Sequence, residues 1–148
     1  MMGAEVTGYA LAAPSTPSLY GLLGSGMFAA EFEEDVRSYA RLKAALASSV
    51  PEVVFHLAAQ ALVRRSYVDP LETLTTNAVG TANLLEAVRE LELPCSVVIV
   101  TTDKCYENRE WGYAYRENDA LGGHDVYSAS KAAAELVTAA WRRSFFGP

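Results

Sequence analysis

The sequence predicts an α/β fold, a doubly wound parallel sheet of the Rossmann type. Two observations carry this. Val53-Val54-Phe55-His56-Leu57-Ala58 and Ser96-Val97-Val98-Ile99-Val100-Thr101 are continuous apolar runs of strand length, the pattern of parallel strands covered on both faces. Segments with helical apolar spacing lie between and after them, so strands and helices alternate. Right-handed crossovers place such a chain in the doubly wound group.

The elements follow in order. Ala4–Leu11 reads as a short strand rich in β-formers. Pro14–Ser25 is a Pro-, Ser- and Gly-rich loop with little regular structure expected before Leu22. Met27–Phe32 reads as an edge-like strand running into Glu33-Glu34-Asp35-Val36. Ser38 can cap a helix over Tyr39–Ala47, with Leu42, Ala45 and Leu46 on one face, and Pro51 stops it. Asp69-Pro70 opens a long helix, an N-cap followed by proline at the first helical position. Its expected apolar stripe is Leu71, Leu74, Ala78, Ala82, Leu85 and Val88. Asn77, Gly80 and Asn83 are out of place by propensity in mid-helix; Gly80 suggests close approach of a neighbour. Pro94 ends this region. Glu107–Gly123 reads as a surface loop. Tyr127 to Phe145 reads as a helix with Ala132, Ala133, Leu136, Val137, Ala140 and Trp141 facing inward.

The bulk properties narrow the function classes. The 148 residues suffice for one domain with a core. A net charge of −6 without a basic run argues against nucleic acid or an acidic membrane as partner. No apolar stretch reaches transmembrane length, and the N-terminus lacks the blocks of a signal peptide, so a cytoplasmic protein is expected. Cys95 and Cys105 flank a strand at a spacing that suits neither zinc nor a disulfide framework, and read as buried thiols.

Tyr127 and Lys131, at i and i+4, share a helix face. A lysine ammonium beside a phenol favours the phenolate, which makes tyrosine a usable general base. Thr102, Asp103 and Lys104 follow a predicted strand, where open α/β sheets place ligands. Tyr-x-x-x-Lys alone is weak, since a helix of this length contains it by chance. Together the two stretches read as one active site. His56-Leu57-Ala58-Ala59-Gln60 ends a strand with small residues. These either reflect lack of room or let a dinucleotide lie against the backbone. His56 itself reads as structural, and His124 as solvated. Asp35-Val36 can hold an adenine or form a solvated acidic turn with Glu31, Glu33 and Glu34. Arg64 or Arg65 can reach a pyrophosphate; the default is an exposed pair, as for Arg142 and Arg143. Val6-Thr7-Gly8 resembles the start of a dinucleotide loop but lacks the further glycines, and Gly21, Gly24 and Gly26 do not follow a convincing strand. Both are rejected.

Thr-Thr-Asp-Lys-Cys-Tyr-Glu-Asn, Tyr-Ser-Ala-Ser-Lys and His-Leu-Ala-Ala-Gln resemble the extended short-chain dehydrogenase/reductases, and within them the CDP-glucose subgroup of the 4,6-dehydratases. Gly8–Leu11, Pro17–Tyr20, Ser66–Thr73, Thr76–Thr81 and Leu121–Gly123 extend the likeness over nearly the whole chain. The resemblance implies NAD as cofactor, a nucleotide-sugar substrate (CDP-glucose), a homo-oligomer and a role in deoxysugar biosynthesis. It implies cofactor contacts from Asp35, Val36, Leu57, Ala58, Ala59, Gln60, Thr101, Tyr127 and Lys131. Tyr127, with Lys131 and Thr102, would take the sugar 4-hydroxyl proton while the C4 hydride passes to NAD. The 4-ketone acidifies the C5 proton, Asp103 protonates the departing 6-hydroxyl, and the hydride returns to C6. Lys104 stands where dTDP-glucose dehydratases carry glutamate; it acts as base or stabilises the enolate. The resemblance also implies a sheet incomplete at both ends: residues 1–148 as part of an NAD-binding domain, without its first strand and glycine-rich loop and without a C-terminal substrate domain. Such a chain is expected to be weakly stable and inactive alone. A sugar-nucleotide 4-epimerase, a cofactor-binding module without chemistry, and an inert fragment or a structural subunit that needs a partner chain are the competing readings.

Overall fold

The computed structural model describes residues 3–147. Strand β1 (Thr7–Ala10) leads through helix α1 (Leu19–Leu23) and a 3-10 turn (Ser25–Met27) to β2 (Ala30–Glu33). Helix α2 (Tyr39–Ser49) connects to β3 (Val53–His56). Helices α3 (Val63–Val68) and α4 (Pro70–Leu74), a π turn (Thr75–Val79) and α5 (Gly80–Glu90) lead to β4 (Ser96–Ile99). A 3-10 turn (Asp103–Cys105) and a long loop precede α6 (Val126–Phe145).

All pairing between these strands is parallel. Tyr9 of β1 stands opposite Phe32 of β2, and Phe55 of β3 opposite Val98 of β4. The pairs are two separate two-stranded sheets. Both rest on one helical layer. Tyr9, Val54, Val97 and Ile99 pack against Leu42 and Leu46 of α2 and Leu84, Ala87 and Val88 of α5.

Several local expectations meet their physical cause. Asp69 caps α4, its carboxylate accepting from the Glu72 N–H at 3.0 Å, with Pro70 at the first helical position. Asp125 caps α6 in the same way, accepting from the Ser128 N–H at 2.9 Å. A Cβ on Gly80 would stand 2.8 Å from Val36 Cγ2, which explains a glycine in mid-helix.

Other expectations are corrected. The loop Pro14–Ser25 contains α1, because Ser18 accepts from the Gly21 N–H at 3.0 Å and caps it. The second strand begins at Ala30, since Ser25–Met27 is a 3-10 turn. Ser38 makes no side-chain cap; α2 runs to Ser49 and ends on Val50 in the left-handed region, φ 41°. Leu71 and Leu74 are exposed whereas Thr73 and Asn77 are buried. The π turn inserts a wider ring into the helix, so a 3.6-residue stripe cannot run through it in phase. In α6, Leu136 is 60% exposed and Ala140 is exposed; the buried face is Tyr127, Ser128, Ser130, Lys131, Ala132 and Ala134. The apolar run at Val53 is covered on one face only: Val54 and His56 face the helices, while Phe55 is 64% exposed.

Candidate active site

The site forms where β4 ends. Thr102 stays extended and its hydroxyl accepts from the Lys104 N–H at 3.4 Å, capping the turn Asp103–Cys105. The Thr102 hydroxyl donates to Asp103 Oδ1 at 2.9 Å. Asp103 and Lys104 are exposed and Cys105 is buried beneath them. Helix α6 packs on this turn. Its caps and spacing place Tyr127, Lys131 and Glu135 along one face, a turn apart.

That face is tied to the strand end at two points. Lys131 Nζ donates to the Val100 carbonyl at 3.3 Å, and the Thr101 hydroxyl donates to a Glu135 carboxylate oxygen. Lys131 is buried, and loss of water lowers its pKa. Its ammonium has three donors and this single carbonyl among the described residues. Tyr127 is also buried, with no hydrogen bond to Thr102 or Lys131 among the described residues. Thr102, Asp103, Lys104, Tyr127 and Lys131 are thus carried on two packed elements.

The segment after β3 is held from below. Asn77, in the π turn, is 1% exposed. Its Oδ1 accepts from the Gln60 N–H at 2.8 Å, and its Nδ2 donates to the Gln60 carbonyl at 3.0 Å and to Ser130 Oγ at 2.8 Å. The Ser130 hydroxyl donates to the Tyr127 carbonyl at 2.7 Å. One amide therefore joins the Ala58-Ala59-Gln60 segment to the turn that carries Tyr127. The Gln60 side chain is engaged with Thr73 Oγ1 at 2.8 Å and with Leu62. Leu57 is exposed and the two alanines half-buried. Sequence reasoning flagged Asn77 only as a poor helix former; that misfit was the available signal. Glu135 gave none, because its partner is 34 residues away.

Asp35 is occupied by its neighbour: it accepts from the Arg37 N–H at 2.8 Å and Nε at 2.9 Å, and that guanidinium lowers its pKa. Val36 is buried against Gly80. Arg65 pairs with Glu72 at 2.9 Å, and Arg64 is exposed. His56 is buried, 3.1 Å from Thr81 Oγ1. The described residues hold no cluster that would bind a metal, and no helix long and apolar enough to cross a membrane.

The family model of the GDP-mannose 4,6 dehydratases matches residues 28–146. The chain is 50% identical over 147 residues to the CDP-glucose 4,6-dehydratase of Salmonella typhimurium, covering 99% of this chain and 41% of that protein. The dTDP-glucose 4,6-dehydratase DesIV of Streptomyces venezuelae, solved with NAD and TYD bound, superposes with a TM-score of 0.70 at 30% identity, over 78% of this chain and 34% of that one. The UDP-glucose 4-epimerase of Thermotoga maritima shares the fold, with a TM-score of 0.84 at 20% identity, over 98% of this chain and 45% of that one. The chain spans less than half the length of these relatives. A match over most of its residues, including the elements that carry Thr102 to Lys104 and Tyr127 to Lys131, makes it a member of the GDP-mannose 4,6 dehydratase family.

Proposed function

We propose that this chain carries the catalytic residues of an NAD-dependent 4,6-dehydratase acting on a nucleotide-activated hexose, with CDP-glucose as the substrate. The observation that carries the proposal is the junction of β4 and α6. Tyr127 and Lys131 lie on the helix that packs on the turn Asp103–Cys105, which Thr102 caps, and Lys131 is tied to the chain just past β4 through the Val100 carbonyl.

The residues fit part of a nicotinamide dinucleotide. Lys131 keeps ammonium donors without protein acceptors among the described residues, suited to ribose hydroxyls. Ala58 and Ala59 offer a close-approach backbone that Asn77 fixes through Gln60. Leu57, Gln60 and Thr101 would line the same strand ends. Asp35, past β2, would take the adenine amino group with the acceptor capacity its bonds to Arg37 leave, beside the buried Val36. Bound there, the cofactor would supply a hydride acceptor. We infer that residues 1–148 are part of the NAD-binding domain of a longer cytoplasmic, homo-oligomeric protein.

Tyr127 would accept the proton of the sugar 4-hydroxyl. Lys131, held by the Val100 carbonyl, would place its ammonium on the same helix face one turn from that phenol. The Thr102 hydroxyl would orient the same oxygen. Asp103, adjacent and exposed to substrate, would give a proton to the departing 6-hydroxyl. Lys104 would remove the C5 proton or stabilise the enolate charge.

A sugar-nucleotide 4-epimerase is the second reading, and the fold shared with the Thermotoga maritima epimerase keeps it in view. An epimerase needs no elimination acid, so Asp103 favours the dehydratase. The test is a chimera: the Salmonella typhimurium relative with its aligned region replaced by this chain. Given CDP-glucose and NAD, it is expected to form a 4-keto-6-deoxy sugar nucleotide. A 4-epimer as the only product, or a folded chimera with no product, overturns the reading.

A further inference from the structure

We propose that Glu135 is a positioning residue of this site: by accepting from Thr101 it fixes the rotation of α6 against the strand end, and with it the place of Tyr127 beside Thr102. The proposal rests on the reading of Tyr127 as the group that takes the sugar 4-hydroxyl proton while the C4 hydride passes to NAD. A dehydratase and a 4-epimerase share that step.

The first observation is a pair of attachments. Lys131 Nζ donates to the Val100 carbonyl at 3.3 Å, and the Thr101 hydroxyl donates to Glu135 Oε1. Val100 and Thr101 are consecutive residues past β4, and Lys131 and Glu135 stand one turn apart on α6. A helix held at one point can pivot about it. Held at two points a turn apart, it has both its height and its rotation fixed. Tyr127 continues the same face one turn before Lys131. It lies about 12 Å along the axis from Glu135, so the second attachment acts on it through the stiff helix between them. A rotation of α6 by about 10° would move a group at the helix's outer radius by about 1 Å. Misplacement of that size costs on the order of 100-fold in rate.

The second observation is the choice of partners. Lys and Glu at i and i+4 ordinarily attract each other. Here each bonds elsewhere, and no ion pair joins them among the described residues. An ion pair with Glu135 would draw on the ammonium donors of Lys131; the Thr101 hydroxyl holds the carboxylate away from them.

The third observation is the place of the carboxylate under the catalytic turn. Glu135 is half-buried. Burial, and then the charge of Glu135, push up the pKa of the Cys105 thiol. Cys105 closes the turn that Thr102 caps, and Thr101 immediately precedes that cap. One side chain of α6 therefore meets the turn at both ends.

The test uses the chimera. Glu135→Ala removes the acceptor, whereas Glu135→Gln keeps an oxygen for Thr101 and removes the charge. Without cofactor or substrate, Glu135→Ala and Thr101→Val should each speed amide exchange at Cys105 and Tyr106 by on the order of 10-fold. These two amides close the turn on the Thr102 and Asp103 carbonyls. Exchange in α2 should not change, Glu135→Gln should match the parent, and the double variant should exceed neither single one. If Glu135→Ala does not fold, Thr101→Val carries the same comparison. With CDP-glucose and NAD, Glu135→Ala should slow the first oxidation, followed as reduced cofactor, by roughly 10- to 100-fold at saturating substrate. KM should change little, and Glu135→Gln should recover most of the rate. Unchanged exchange at the turn overturns the proposal. So does faster exchange spread equally into α2, additive effects in the double variant, an unchanged oxidation rate, or Glu135→Gln behaving as Glu135→Ala, which would assign the effect to charge. A parent chimera that oxidises the sugar and yields only a 4-epimer overturns the dehydratase reading alone, and the oxidation rates still decide the role of Glu135. A parent that oxidises nothing overturns both.

Discussion

His56 is neutral at pH 7, because burial and then the charge of Lys131 push its pKa down to about 4. The Thr81 hydroxyl donates to the Asn77 carbonyl at 2.7 Å. His56 Nε2 must therefore carry the proton it shares with Thr81. A folded pKa below the unfolded value contributes stability that is complete above pH 6.5 and lost as pH falls toward 4. The loss is about 3 kcal/mol. Urea unfolding from pH 7.5 to 4.5 should show it, and His56→Gln should remove most of that slope. The role proposed for Asp103 is open to a sharper test. In the chimera, Asp103→Asn should slow elimination by ~100-fold or more and the first oxidation much less. Equal loss of both steps would argue against Asp103 as the acid. At this scale Tyr127 and Lys131 were legible because their relation is local, four residues on a helix. The bonds from Lys131 to Val100 and from Glu135 to Thr101 join residues 31 and 34 apart, and no local pattern announces them.

Gly80 shows how an element depends on its neighbour. Alanine is favoured over glycine in a helix by about 1 kcal/mol. At Gly80 the new Cβ would stand 2.8 Å from Val36 Cγ2 and 3.4 Å from Val36 Cβ, and Val36 is buried. Overpacking of this kind costs roughly 1–3 kcal/mol, so Gly80→Ala should lower stability by about 1 kcal/mol in chemical denaturation. Unchanged or raised stability would mean that Val36 yields. Helix starts at Asp69 and Asp125 were legible from the cap chemistry. The cap at Ser18 was hidden by loop composition. Leu71 and Leu74 were assigned to the wrong face because a π turn cannot be seen in a 3.6-residue pattern.

The whole molecule is a helical layer bearing two short sheets. Alternation of strands and helices was readable, since buried-type runs and amphipathic stripes are both written in residue order. The open outer face was not, because the same apolar run serves a strand covered on both sides. An exposed Phe55 patch and free strand edges invite association. The 148-residue chain alone should therefore unfold at low denaturant, associate at high concentration, and show neither NAD affinity nor turnover. A stable monomer with turnover would contradict this. The proposed 4,6-dehydration by Tyr127, Lys131 and Asp103 moves the hydride from C4 to C6. CDP-glucose deuterated at C4, given to the chimera with unlabelled NAD, tests it most directly. A 4-keto-6-deoxy product with deuterium at C6 is expected from the active chimera and little of it with Asp103→Asn; a 4-epimer retaining deuterium at C4 would contradict the dehydration.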